Sequence, residues 1–143
     1  MDRPLRVLVA AVVLGGCAWA VLRWPHLDTV ETGLTPEYPE LRPRDYAASE
    51  AEVSRAAKSA VEKLGWPLMG AGRGPGGSEV QAQARGRILP TDHELVIRIQ
   101  RQGSRSRVSV RAHSRTFRWD FGEDARLIER FLGALDEELG RRR

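Results

Sequence analysis

Apolar and polar positions along this chain follow three patterns, and each predicts a different kind of element. From Val7 to Leu22 there is no alternation at all: VLVAAVVLGGCAWAVL is apolar throughout, so a helix here has no polar stripe to turn toward water. Further on, Val53, Ala56, Ala57, Ala60, Val61 and Leu64 recur at helical spacing. They follow Ser49-Glu50-Ala51-Glu52, which reads as a capping box, and Gly65 and Pro67 stop the helix. A second helical stripe, Leu127, Ile128, Phe131, Leu132, Leu135 and Leu139, follows a cap at Asp120-Phe121-Gly122-Glu123 and ends at Gly140. Between these helices the period falls to two. Val80, Ala82, Ala84, Gly86 and Ile88 share one face, as do Leu95, Ile97 and Ile99, and Val108, Val110 and Ala112. Pro90-Thr91-Asp92-His93 and a loop around Gly103-Ser104 join these strands as hairpins.

The remaining segments are less regular. Residues 25–35 read as a tether. Pro36, Pro39 and Pro43 then favour an extended segment or an edge strand, where a missing N–H matters least. Trp66 to Met69 begins a strand that runs into Gly70-Ala71-Gly72-Arg73-Gly74-Pro75-Gly76-Gly77. Gly72, Gly74 and Gly77 spell G-x-G-x-x-G, but a dinucleotide site needs a helix to open directly afterwards. Here a strand alternation follows, and no Lys-Ser/Thr is present for a phosphate loop, so this is a hairpin loop. The order strand, helix, meander, helix gives each strand one apolar face and each helix one apolar stripe. The economical fold is α+β, with both helices on one side of an antiparallel sheet of about five strands. That is a two-layer helix-grip arrangement, similar to one half of a TATA-binding-protein-like fold, preceded by an N-terminal membrane helix. The division is 1–24 membrane anchor or signal segment, 25–35 tether, 36–140 α+β domain and 141–143 basic tail.

Composition adds limits. The chain has 143 residues, of which 41% are hydrophobic, enough for one folded domain. A single cysteine excludes a disulfide scaffold and multi-cysteine zinc modules. The net charge of +4 comes from the ends: residues 1–24 carry +2 and Arg141–Arg143 carry +3, leaving 25–140 at −1. That balance, with export, argues against nucleic acid as a partner, because affinity there rests on phosphate neutralisation. Nucleic-acid binding stays as the alternative for a cytoplasmic domain.

The apolar segment sets the expected location. Leu5 to Trp24 makes about 30 Å of helix, enough to cross a bilayer. Arg3 and Arg6 precede it, favouring an uncleaved signal anchor with the N-terminus inside. Leu14-Gly15-Gly16-Cys17 also resembles a lipobox, which would make Cys17 a lipidation site, and Ala18-Trp19-Ala20 has the form of an ordinary cleavage site. All three routes export the rest of the chain to a periplasmic or other extracytoplasmic compartment.

Catalytic chemistry is sparse. His26, His93 and His113 sit in a tether, a hairpin and a strand, without metal-ligand spacing; no metal and no cofactor are expected. No serine has a nucleophile context, and Asp136-Glu137-Glu138 fall on the polar side of the last helix. An enzyme with an unrecognised pocket is the weaker alternative, and the expected class is non-enzymatic. The positive signal is a set of arginines opposite the apolar strand positions: Arg85, Arg87, Arg98, Arg107, Arg111 and Arg115, opposed mainly by Glu79 and Glu94. Like charges brought opposite one another call for compensation, and guanidinium forks suit phosphate and carboxylate. An anionic lipid, an envelope polymer or an acidic envelope protein fits. Phe117, Trp119 and Phe121 recur nearby at a two-residue period, either plugging the core or offering an apolar contact.

Several short motifs occur together in order: Thr35-Pro36-Glu37-Tyr38-Pro39-Glu40-Leu41, Gly65-Trp66, Leu95-Val96-Ile97-Arg98, Arg111-Ala112-His113-Ser114-Arg115, Asp120-Phe121-Gly122 and Ala125-Arg126-Leu127-Ile128. Over residues 35–139 the chain resembles a bacterial envelope family catalogued as domain of unknown function 1499. The resemblance implies an N-terminal hydrophobic segment in many members and carries no activity with it. Thr116-Phe117-Arg118-Trp119 is bulkier than that pattern.

Overall fold

The computed structural model describes residues 3–23, 27–88, 90–116 and 122–140. Trp24, Phe117, Trp119, Phe121 and the Arg141–Arg143 tail therefore lie outside the described residues. Nine elements follow in order among those described: α1 (Arg3–Arg23), β1 (Thr29–Glu31), β2 (Arg44–Tyr46), α2 (Glu50–Lys63), β3 (Leu68–Gly74), β4 (Gly77–Arg85), β5 (Asp92–Gln102), β6 (Arg105–Ser114) and α3 (Glu123–Gly140).

The fold is α+β, with three helices and one six-stranded antiparallel sheet in the order β1-β6-β5-β4-β3. β2 also pairs with β6. The two short strands share one edge end to end: Thr29–Glu31 faces His113–Arg111, and Arg44–Tyr46 faces Val108–Ser106. The proline-rich segment is thus an excursion that leaves and rejoins the same edge. Residues 29–31, read from the sequence as tether, belong to the sheet, because a three-residue alternation is too short to register as a strand.

Alternation in β4, β5 and β6 sends Val80, Ala82 and Ala84, then His93, Leu95, Ile97 and Ile99, then Val108, Val110 and Ala112 to the helix side, all buried. α2 covers them with Val53, Ala56, Ala57, Ala60 and Val61. Its capping box forms: Ser49 Oγ accepts from Glu52 N–H at 3.3 Å, and Glu52 Oε2 accepts from Ser49 N–H at 2.8 Å. α3 contributes Leu127, Ile128, Phe131, Leu132, Leu135 and Leu139. The alanines let helix and sheet backbones approach while leucine and phenylalanine fill the rest, which is how a thin domain closes one core. The opposite sheet face carries no covering layer among the described residues.

Two local expectations change. The glycine segment is strand up to Gly74, and the turn is only Pro75-Gly76. Gly77, at φ 129°, is needed there because a Cβ would overlap the Ile99 backbone carbonyl. The acids at the start of α3 are also not solvated, whereas Asp136 and Glu137 stay exposed on its polar side. Glu123 and Asp124 are buried, Asp136 pairs with Arg44, and Glu137 meets Lys63 at 2.8 Å.

α1 spans 21 residues, about 32 Å of helix. Its side chains are described without a break from Pro4 to Ala20, and all are exposed. Among the described residues no helix is long and apolar enough to cross a membrane.

Candidate functional site

Strand register lays out the uncovered face in rows. One runs Gln81, Val96, Arg111, Glu31; the next runs Glu79, Arg98, Ser109; another runs Gln83, Glu94, His113, Thr29. Toward one end Arg85 faces Asp92, and toward the other Asp45 and Gln100 flank Arg107. In this register no arginine stands directly opposite another. Arg98 Nε lies 3.5 Å from Glu79 Oε2. Arg107 donates through Nε and Nη2 to the two oxygens of Asp45, at 2.8 and 3.0 Å. The hydrogen bond from Arg107 holds the Asp45 carboxyl below its ordinary pKa, and the carboxylate in turn raises that of the guanidinium.

Part of the compensation expected of a ligand is therefore built into the sheet, through Arg98 with Glu79 and Arg107 with Asp45. Of the acids, Glu31 comes from β1, which the sequence left inside the tether, and Asp45 from β2, in the stretch read as an extended or edge strand. His113 Nδ1 adds a 2.7 Å hydrogen bond with Thr29 Oγ1. The face is a mosaic of paired charges and planar amides rather than a basic sheet.

Arg87 does not join it. It sits in the β4–β5 loop, where its backbone N–H and that of Ile88 donate to Glu123 Oε2 and Oε1 at 3.1 and 3.2 Å. Burial alone would push the Glu123 pKa up. Those two N–H groups, with Arg126 Nη2 at 3.2 Å, outweigh it and hold the carboxyl below its usual value. Arg115 follows β6, its backbone N–H donating to Asp92 C=O at 2.8 Å. Cys17 is an exposed free thiol on α1.

One arrangement went unpredicted. Thr91 Oγ1 lies 2.6 Å from His93 Nε2, and His93 Nδ1 lies 2.7 Å from Asp124 Oδ1. The order hydroxyl, imidazole, carboxylate is that of a hydrolase triad, yet Thr91 is 1% exposed and the other two are 0%. The hydroxyl has no open side from which a carbonyl could reach it. Its role here is mechanical, joining the base of the β4–β5 loop to the first turn of α3. The clue was available: His93 has the parity of Leu95, Ile97 and Ile99. Among the described residues no group of three or more His, Cys, Asp or Glu is placed to hold a metal.

Several hollows flank the sheet among the described residues, and two of them adjoin candidate arginines and apolar side chains. One, of about 530 Å³, lies in the proline-rich excursion against Leu34, Pro36, Tyr38 and Arg107. The other, of about 500 Å³, lies between the β4–β5 loop and α3, where Arg87, Ile88, Arg126, Leu127 and Arg130 line it.

The family model for proteins of unknown function DUF1499 matches residues 18–135. The chain belongs to the DUF1499 family. In this DUF1499 protein the match opens inside the last turns of α1 and runs to the last turns of α3, so it takes in the tether and β1 as well as the sheet and both domain helices. No curated protein matches the chain.

Proposed function

We propose that this DUF1499 chain is a membrane-tethered, non-enzymatic binding domain of the cell envelope. The described residues alone make no full span, but the apolar run that the sequence carries from Val7 to Leu22 makes α1 its signal anchor. The helix-grip domain lies on the extracytoplasmic side. The observation that carries the reading is an apolar helix with every described side chain exposed, attached to a domain with one uncovered sheet face. An apolar surface of that extent is costly in water and stable in lipid. Cys17, on the same helix, is the residue that lipidation would use.

The sheet face is the partner surface. Arg98 and Arg107 are already paired with acids in the plane, and Arg85 and Arg111 stand opposite acids in register. That weakens long-range attraction to an anionic bilayer and favours close, group-by-group recognition. Of the anionic partners considered, a polymer or protein with interspersed acidic and polar groups fits this face better than a lipid layer. Arg98 and Arg111 stand in adjacent rows at its centre.

Alkaline phosphatase fused after Arg143 tests the topology. Active fusion in intact cells supports export; an inactive, well-expressed fusion places the domain in the cytoplasm and overturns the reading. Charge reversal at Arg98 and Arg111 is then expected to abolish retention of envelope extract on the immobilised chain. Unchanged retention would remove the sheet face as the site.

A further inference from the structure

Backbone connections fix which end of the domain lies nearest the tether. Asp28 C=O accepts from Ser114 N–H at 2.8 Å, and Thr29 faces His113, so the chain enters the sheet beside the end of β6. The β4–β5 loop lies at that same end, since Arg115 N–H reaches Asp92 C=O and Arg85 faces Asp92. α3 starts there too, because Glu123 holds the backbone of Arg87 and Ile88. Only five residue steps separate Arg23, the end of α1, from Asp28. Fully extended, they reach at most about 18 Å.

The loop at this end is fixed at its base and apolar at its tip. Gly86 N–H donates to Thr91 C=O at 2.9 Å, Glu123 takes the next two N–H groups, and the Thr91–His93–Asp124 relay lies beneath. Ile88 nonetheless stays 65% exposed. Arg87, Arg126 and Arg130 line the groove beside it over Leu127, together with Glu123 and Glu129; Arg126 also meets Glu123, and Arg130 lies over the Trp66 ring. Of the acids nearby, Glu123 is buried, and Asp92 faces Arg85; Asp28 and Glu129 are exposed.

We infer that the β4–β5 loop seats on the anionic lipid surface of the bilayer that holds α1, with Ile88 entering the interface and Arg87, Arg126 and Arg130 meeting lipid phosphates. The inference rests on the reading of α1 as an anchor. A short tether keeps this end within reach of the headgroups, and an apolar tip beside guanidinium groups is complementary to them. The domain then stands end-on against the membrane, which leaves its open sheet face free for a partner.

The test uses the full chain, Cys17→Ser, carrying Ile88→Cys labelled with an environment-sensitive fluorophore. It is reconstituted into phosphatidylcholine–phosphatidylglycerol vesicles containing nitroxide lipid. Ser104→Cys, in the β5–β6 turn at the far end, is the comparison site. Flotation with the vesicles and at least twofold stronger quenching at residue 88 than at 104 support the inference, and Arg87→Glu should reduce that quenching by half or more. A chain that floats while residue 88 is quenched no more than residue 104 overturns the inference and leaves the anchor standing. A chain that stays out of the vesicles overturns both.

Discussion

His93 Nδ1 stands 2.7 Å from Asp124 Oδ1, and both side chains are wholly buried. The imidazole nitrogen and the carboxyl oxygen share a direct hydrogen bond. The bond joins residues 31 apart in sequence and ties β5 to the first turn of α3, which also receives the β4–β5 loop through Glu123. The polar groups at this end of the domain act as one clamp.

Removing half of the clamp should cost more than removing all of it. Asp124→Ala leaves His93 buried beside a void, and breaking such a pair typically costs about 3–5 kcal/mol. The double change His93→Leu with Asp124→Leu replaces both polar groups and should be milder than the single one. Urea unfolding of the full chain in detergent, followed by tryptophan fluorescence, reads the difference. An Asp124→Ala cost below about 1 kcal/mol would mean the pair is not a structural tie.

Glu123 gives the clamp an acid limit. Its folded pKa lies below the ordinary 4.5, so its contribution is complete above that value and is lost as pH falls through the lower folded one. Stability of the parent chain should therefore drop below about pH 4.5. In Glu123→Gln, which keeps one acceptor, the chain starts about 1–3 kcal/mol weaker at pH 7 and its acid limb is flatter. Parallel limbs in the two chains would remove Glu123 from the cause.

Where periodicity was long, the sequence disclosed the architecture. β4, β5, β6 and the stripes of both domain helices repeat their apolar residues over about three turns or pleats. Tertiary packing keeps them as read, except that β4 stops at Arg85 and leaves Gly86 and Ile88 in the loop. β1 was hidden because three residues carry no period, whereas β2 lies at the edge in the proline-punctuated stretch, as an edge strand should. The omission of β1 spread to the charge reading: Glu79 and Glu94 were counted against the arginines, and Glu31, which faces Arg111, was not. Register, which decides what faces what, is a tertiary property that Arg111 and Glu31 do not display in sequence. His93 failed for a different reason. It falls just inside β5, one residue past the strand boundary, and a histidine near a proline turn looks like loop until its parity with Leu95 is followed.

The turn between β3 and β4 separates two glycines by their surroundings. Gly77 has a φ of 129°, and a Cβ there would overlap the Ile99 carbonyl. Gly72 has nothing within 4 Å of its Cβ position. Gly77→Ala is expected to destabilise by more than about 1 kcal/mol, while Gly72→Ala should be neutral or slightly stabilising through a stiffer unfolded chain. Thermal unfolding of the two variants compares them directly, and equal melting temperatures would contradict the close approach of β4 to β5.

Tyr46 supplies an alkaline counterpart. Its hydroxyl donates to Asp136 Oδ1 at 2.7 Å, and Arg44, two residues earlier in β2, pairs with the same carboxylate. Burial, then the hydrogen bond and charge of Asp136, raise the phenol above its ordinary 10.0. A raised pKa here favours the neutral phenol in the folded chain, so the contribution is complete below pH 10 and declines as pH climbs toward the folded value. Tyr46→Phe removes a bond to a charged acceptor and should cost about 1.5–3 kcal/mol at pH 7. Above pH 10 the unfolded parent gains by ionising its phenol and the variant does not, so the gap between them should narrow. Denaturant midpoints of the two chains from pH 7 to 11 measure that gap. A gap that stays constant over the range would mean that the hydroxyl of Tyr46 is not what holds α3 to β2.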